Sequence, residues 1–283
     1  MPVLTRRAAL VLTSAGLTAM SAHASASAAR SDRMVSETTI ADFNAWISLR
    51  GGENTPAYWY SAGLIRPIKD GGKVESRMVG LETWITPPEL RTEASAVSLS
   101  RKIYFFLEED RDEIVVDTAT GAPRRPSIFV HQVRTFTLVD GAIDYKVESH
   151  DLRGIRQGGF GVTMSVNRRG DQVHVNYASF PRRPDEAGEM QVRSGEVYDY
   201  MDNGPQHTDE AARYQMTWVG TNLDGNIANQ RGWRFGAFDD IPNAWLKTVI
   251  REQAPLWMEP PADMAEIERL RNTVPFPVPG LGL

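Results

Sequence analysis

The sequence predicts a mainly β (α+β) protein: an antiparallel calycin-like barrel, or a strongly curved sheet, flanked by N- and C-terminal helices. Three observations carry that expectation. From Ala57 to about Ala178 the chain is a succession of short apolar or alternating runs, the period-two signature of half-buried strands. Asp70-Gly71-Gly72, Asp140-Gly141 and Arg169-Gly170-Asp171 separate neighbouring runs by the tight turns that join antiparallel partners. A long antiparallel sheet must then close or be covered, because open edges template aggregation and an apolar face cannot be left to water.

The elements follow in chain order. Thr5-Arg6-Arg7, the apolar run from Ala8 to Met20 and the small residues from Ser21 to Ala28 read as a twin-arginine-type signal peptide over 1–28. Small residues two apart (Ala22, Ala24, Ala26, Ala28) suit a signal peptidase, and the paired arginines select the export route that carries folded cargo. The run falls short of the roughly twenty apolar residues that span a bilayer, so the mature form is expected without a membrane anchor, in the periplasm or secreted. A flexible leader over 29–35 then leads into a single β-rich domain over 36–283, with C-terminal helices and an extended tail.

Inside that domain, Thr39 stands three residues before Asp42, a capping box with Asp in place of Glu or Gln. Ile40, Phe43, Trp46 and Ile47 give the helix an apolar face, and Gly51-Gly52 ends it. Strands are expected over 58–65, 74–86, 102–107, 114–116, 128–138, 143–148, 160–166, 173–178 and 214–221, with a polar insertion over 181–210 and a turn at Asp224-Gly225. Asp239 or Asp240 caps the next helix, which has Pro242 in its first turn and buries Trp245, Leu246, Val249 and Ile250. A last helix starts at Pro261 and buries Met264, Ile267 and Leu270, before the Pro- and Gly-rich tail over 275–283.

Charge and composition exclude several classes. The 283 residues carry 36 Asp and Glu against 31 Lys and Arg, and removal of Arg6 and Arg7 with the signal deepens the acidic excess. That balance disfavours nucleic acid and anionic lipid as partners. The absence of cysteine excludes disulfides, thiolate metal sites and a thiol nucleophile. No G-x-S-x-G elbow is present, which argues against a conventional serine hydrolase. Gly158-Gly159-Phe160-Gly161 lacks the third Gly or the Lys-Ser/Thr of a phosphate loop and reads as a bulge or turn.

Some residues look familiar. Tyr58-Trp59-Tyr60-Ser61-Ala62-Gly63, the run from Ile103 to Leu107 followed by Asp117-Thr118-Ala119-Thr120-Gly121, and Trp233 with Asp239-Asp240-Ile241-Pro242 resemble an uncharacterised family, domain of unknown function eighteen thirty-eight. The resemblance implies a β-rich single domain, often behind a twin-arginine signal, and it supplies no catalytic residues. The acidic segment Glu108 to Glu113 departs from the plainer turn expected there.

Four histidines survive signal removal: His131, His150, His174 and His207. Strict alternation groups His131 with Phe129 and Val133 and makes it the one to point inward, leaving Arg134 and Gln132 outside; a polar barrel interior would reverse that assignment. Glu148 and His150 share a strand face, close enough for an acid/base pair, although Asp144 and Lys146 on the same face fit a solvated surface as well. His150-Asp151 and His207 with Asp209 and Glu210 lack the spacing of a strong metal motif, so neither a metal nor a cofactor is expected. Tyr58, Trp59 and Tyr104 are the aromatics expected to line a flat substrate pocket.

Two functions fit these residues. One is an exported, cofactor-free isomerase or lyase acting on a partly aromatic or lipid-like substrate, with His131, or Glu148 with His150, moving the proton and Arg134 or Tyr58 stabilising charge. The other is a non-catalytic periplasmic small-ligand-binding protein of the same barrel type. Besides the small molecule, the expected partner is the export machinery, engaged through Arg6 and Arg7.

Overall fold

Every neighbour in the main sheet is antiparallel, and the sheet closes on itself. The computed structural model describes residues 38–52, 54–67, 74–117, 120–152, 154–169, 172–179, 182–184, 190–192, 194–202, 212–220 and 226–273. They belong to one unit, Thr38–Leu283. The expected signal peptide and leader, the expected Asp70-Gly71-Gly72 and Asp224-Gly225 turns, His207 and the tail over 275–283 lie outside the described residues.

The strands are β1 (Ala57–Pro67), β2 (Ser76–Ile85), β3 (Ser95–Leu107), β4 (Ser127–Val139), β5 (Ala142–Asp151), β6 (Gly154–Arg169), β7 (Gln172–Ser179), β8 (Arg182–Pro184), β9 (Met190–Val192), β10 (Ser194–Asp202), β11 (Arg213–Gly220) and β12 (Asn226–Phe235). β8 and β9 pair apart from the rest. The other ten form a ring in which β1 pairs with β2 on one side and with β12 on the other, so the barrel has no free edge. The Asp140-Gly141 turn joins β4 to β5 with both residues at positive φ, 50° and 74°, as a type I′ hairpin requires.

Helix α1 (Ile40–Gly51) plugs one end of the barrel. Its N-terminus carries the expected capping box, with Thr39 Oγ1 accepting from the Asp42 backbone N–H. Phe43, Trp46 and Ile47 are fully buried against Trp59, Trp84, Phe136, Tyr145, Tyr177, Tyr200 and Tyr214, residues drawn from seven strands around the ring. Only the lumen brings those strands to one place. Ile40 stays half exposed at the helix start instead of joining the apolar face.

Helices α2 (Ala244–Gln253) and α3 (Met264–Thr273) cover the outer face of β1 to β4, with Leu246 and Ile250 of α2, Trp257 of the 3-10 turn between the helices and Leu270 of α3 packed with Tyr58, Leu81, Phe105 and Val130. The cap of α2 is Asn243, whose side chain accepts from the Leu246 N–H, not Asp239 or Asp240; those two lie in a short 3-10 turn that precedes the helix. Met264 is exposed at the start of α3, because the helix begins there and its buried face is carried by Ile267 and Leu270.

Other elements depart from expectation. Residues 114–116 form only isolated bridges at Ile114 and Val116. Gly158 to Gly161 continue β6 in unbroken register with β5, so they are neither bulge nor phosphate loop. β10 lies inside the stretch expected as a polar insertion, and β12 adds a strand that the sequence reading missed.

Candidate functional site

The barrel interior, not the histidine cluster, collects the chemistry. Strand β2 alternates Gly80, Glu82 and Trp84 into the lumen, and β3 alternates Ser98, Ser100, Lys102 and Tyr104 beside them. Lys102 Nζ lies 2.5 Å from Glu82 Oε2, Tyr104 Oη donates to Glu82 Oε1 at 2.5 Å, and Trp84 Nε1 donates to Oε2 at 3.0 Å. Burial pushes the Glu82 carboxyl up, but Lys102 and these hydrogen bonds outweigh it and hold the group down to about 2. Glu82 is therefore a fixed anion at neutral pH.

Three cations approach the Trp84 ring: Arg50 Cζ at 4.8 Å from its centroid, Arg134 Cζ at 4.4 Å and Lys102 Nζ at 5.1 Å. Arg50, in the last turn of α1, also lies 5.2 Å from the Tyr177 centroid, 5.4 Å from Tyr198 and 6.0 Å from Tyr200. Its Nε and Nη1 are buried without a hydrogen-bond partner among the described residues. Arg134 gives Nη2 to Gln132 Oε1 at 2.8 Å, and Gln132 in turn donates to Ser149, while Arg134 Nε and Nη1 are likewise unpartnered. Arg234 donates to the carbonyls of Ser48 and Leu49, which holds the C-terminal turn of α1 in the lumen.

Tyrosines complete the wall. Tyr198 and Tyr200 stack at 5.5 Å, and Tyr214 packs edge-on against Tyr198 and tilted against Tyr200. Two glycines make room for the rings: a Cβ at Gly80 would stand 2.1 Å from Tyr104 Cδ1, and one at Gly232 would stand 2.0 Å from Tyr214 Cε1.

The expected site residues divide between two faces. Trp59, Tyr104 and Arg134 point into the lumen, where Trp59 Nε1 donates to the Arg50 carbonyl. Tyr58 is on the outer face, bonded to Glu259 and packed under the C-terminal helices. His131, Glu148 and His150 are outside as well, which corrects the inward assignment of His131. The lumen is polar and takes Gln132 and Arg134, so His131 alternates with them onto the outer surface, and a register shift between Phe129 and His131 adds Val130 to that same face.

On that surface His131 Nε2 lies 3.5 Å from Glu148 Oε1, and the His131 and His150 rings are 5.1 Å apart. Arg271 of α3 donates to the same Glu148 oxygen from Nε at 2.9 Å and Nη2 at 2.6 Å. Burial and the neighbouring His150 push His131 down to about 4, with Glu148 pulling the other way. Glu148 is itself lowered: its burial is outweighed by the Arg271 hydrogen bonds. The cluster holds a helix to the barrel wall and keeps His131 neutral. Asp151 is ion-paired to Arg156, so the His150-Asp151 dipeptide does not converge on one ligand.

Sequence reasoning missed Arg50, Glu82, Lys102 and the tyrosines of β7, β10 and β11. The available signal was polar residues at alternate positions between apolar ones, as in Ser98-x-Ser100-x-Lys102-x-Tyr104 and Gln230-x-Gly232-x-Arg234. That pattern belongs to a polar lumen with an apolar exterior packed under helices. No protein-family model and no curated protein matches the chain.

Proposed function

We propose that this chain is an exported small-molecule-binding protein whose barrel interior holds a partly aromatic ligand. One observation carries the reading: the lumen combines Trp46, Trp59, Trp84 and six tyrosines with buried guanidinium N–H groups that have no partner among the described residues. Buried polar groups are normally satisfied, and an interior that leaves charge-bearing donors open is built to receive an acceptor. Export through Arg6 and Arg7, and the resemblance to domain of unknown function eighteen thirty-eight, belong to the same proposal and rest on sequence motifs alone.

A second reading, acid/base catalysis of isomerase or lyase type, is favoured by the Tyr104–Glu82–Lys102 hydrogen-bonded chain in the lumen more than by His131, which packs beneath α3. Native mass spectrometry of the protein from its own periplasm, before and after denaturation, tests the binding reading. A retained small molecule is the expected result, and a clean mass removes the tight carrier. Tyr104→Phe separates the readings: it spares the binding of a carried ligand within severalfold but lowers turnover by 100-fold or more if Tyr104 moves a proton.

A further inference from the structure

We infer that the ligand of this lumen carries a carboxylate, bound as the anion by Arg50 and Arg134 beside the Trp84 ring. The inference rests on the small-molecule-binding reading above and names the chemistry of its ligand.

The argument begins with charge. A buried guanidinium cannot shed its proton, so it must be paired, hydrated or bound to an anion. Around Trp84 the described residues supply Arg50, Arg134 and Lys102 against the Glu82 carboxylate, and that carboxylate is engaged by Lys102, Tyr104 and Trp84. Neither arginine has a hydrogen bond to it. Cation–π contact with Trp84 and the tyrosines offsets part of the charge, but it leaves Nε and Nη1 of Arg50 and of Arg134 without an acceptor among the described residues.

Geometry selects the ligand's class. Both guanidinium carbons lie within 5 Å of the Trp84 ring centroid, so the two incompletely paired forks are gathered at one indole. A guanidinium offers a planar fork of donors, which matches the two oxygens of a carboxylate. The surrounding walls are flat rings, Trp59, Trp84, Tyr198, Tyr200 and Tyr214, which suit a planar unsaturated or aromatic body. The inferred ligand is thus an aromatic or conjugated carboxylic acid.

Isothermal titration of the purified protein at neutral pH with 2-naphthoate, benzoate and the uncharged 2-naphthamide tests this. The acids are expected to bind at least tenfold more tightly than the amide. Arg50→Met is expected to remove at least tenfold of the naphthoate affinity, leave amide binding unchanged, and keep or raise the melting temperature, because it replaces a guanidinium whose Nε and Nη1 have no acceptor among the described residues with an apolar chain of similar length. Arg134→Met, at the other donor, shifts acid affinity in the same direction and serves if Arg50→Met does not fold. Equal binding of acid and amide, or acid preference that survives both variants, overturns the carboxylate while leaving a ligand-binding lumen in place. Unfolding of Arg50→Met together with unchanged naphthoate affinity in Arg134→Met marks the guanidinium as structural and also overturns it. Binding by none of the probes overturns the inference, and the binding reading falls with it only when the native mass of the exported protein is also clean.

Discussion

His131 shows how one residue's surroundings set its chemistry. Burial under α3 and the adjacent His150 hold it down to about 4, whereas a histidine in the unfolded chain titrates near 6.5. The unfolded chain therefore binds the proton more readily. The stability that neutral His131 contributes is fully present above about pH 6.5 and is lost as pH falls toward 4, in total about 1–3 kcal/mol. Urea midpoints of wild type and His131→Gln should converge as pH falls through that window, with Glu148, His150 and Arg271 common to both proteins. At the same scale, Gly80→Ala should cost roughly 1–3 kcal/mol by driving a methyl into the Tyr104 ring, measured by chemical denaturation. Of the site residues, Trp59, Tyr104 and Arg134 were legible as candidates from residue type alone. The face they share was not, because alternation sets Arg134 against His131 without saying which of the two enters the lumen, and that depends on the polar network formed there by distant strands.

That irregularity has partners at the scale of elements. The β3–β4 ladder shifts register between Ser100 and Lys102, beside the shift in β4–β5. Carbonyls near the two shifts are answered from outside the sheet: Trp257 Nε1 donates to Lys102 O at 2.9 Å and to Phe129 O at 3.1 Å, and Arg101 Nε donates to Val130 O at 3.2 Å. Arg101 then ties the strand to Glu259 and, through an ion pair, to Glu266. Trp257→Phe keeps the ring but leaves those carbonyls with one donor fewer, and should cost about 1–3 kcal/mol in urea unfolding. Thr39→Ala, which removes the capping box of α1, should cost about 1 kcal/mol in the same assay. The capping box was legible because its chemistry is local. β12 was not, because its inward positions, Gln230, Gly232 and Arg234, carry polar or missing side chains that an apolar alternation search passes over.

For the whole molecule, the mainly antiparallel architecture followed from turns and periodicity, since both are written into adjacent residues. A barrel was expected too, because so long a sheet must close or be covered, but the seam and the plug were not, since they depend on β1 meeting β12 from the opposite end of the domain and on a helix that fills one mouth. Trp46→Ala, which opens a void where the plug meets Phe136 and Tyr177, should cost about 3–5 kcal/mol and be read as a lower denaturation midpoint.

The pairing of β1 with β12 also sets a timetable. Tyr58 meets Phe235 across that seam, so the last ladder of the ring joins residues separated by most of the domain. During synthesis β1 waits beside β2 with one side bare until the chain has been made past Phe235. Contacts this distant in sequence make folding slow and leave a strand edge exposed in the interim. A protein so connected becomes safe from edge-to-edge association only after synthesis of the domain is almost finished.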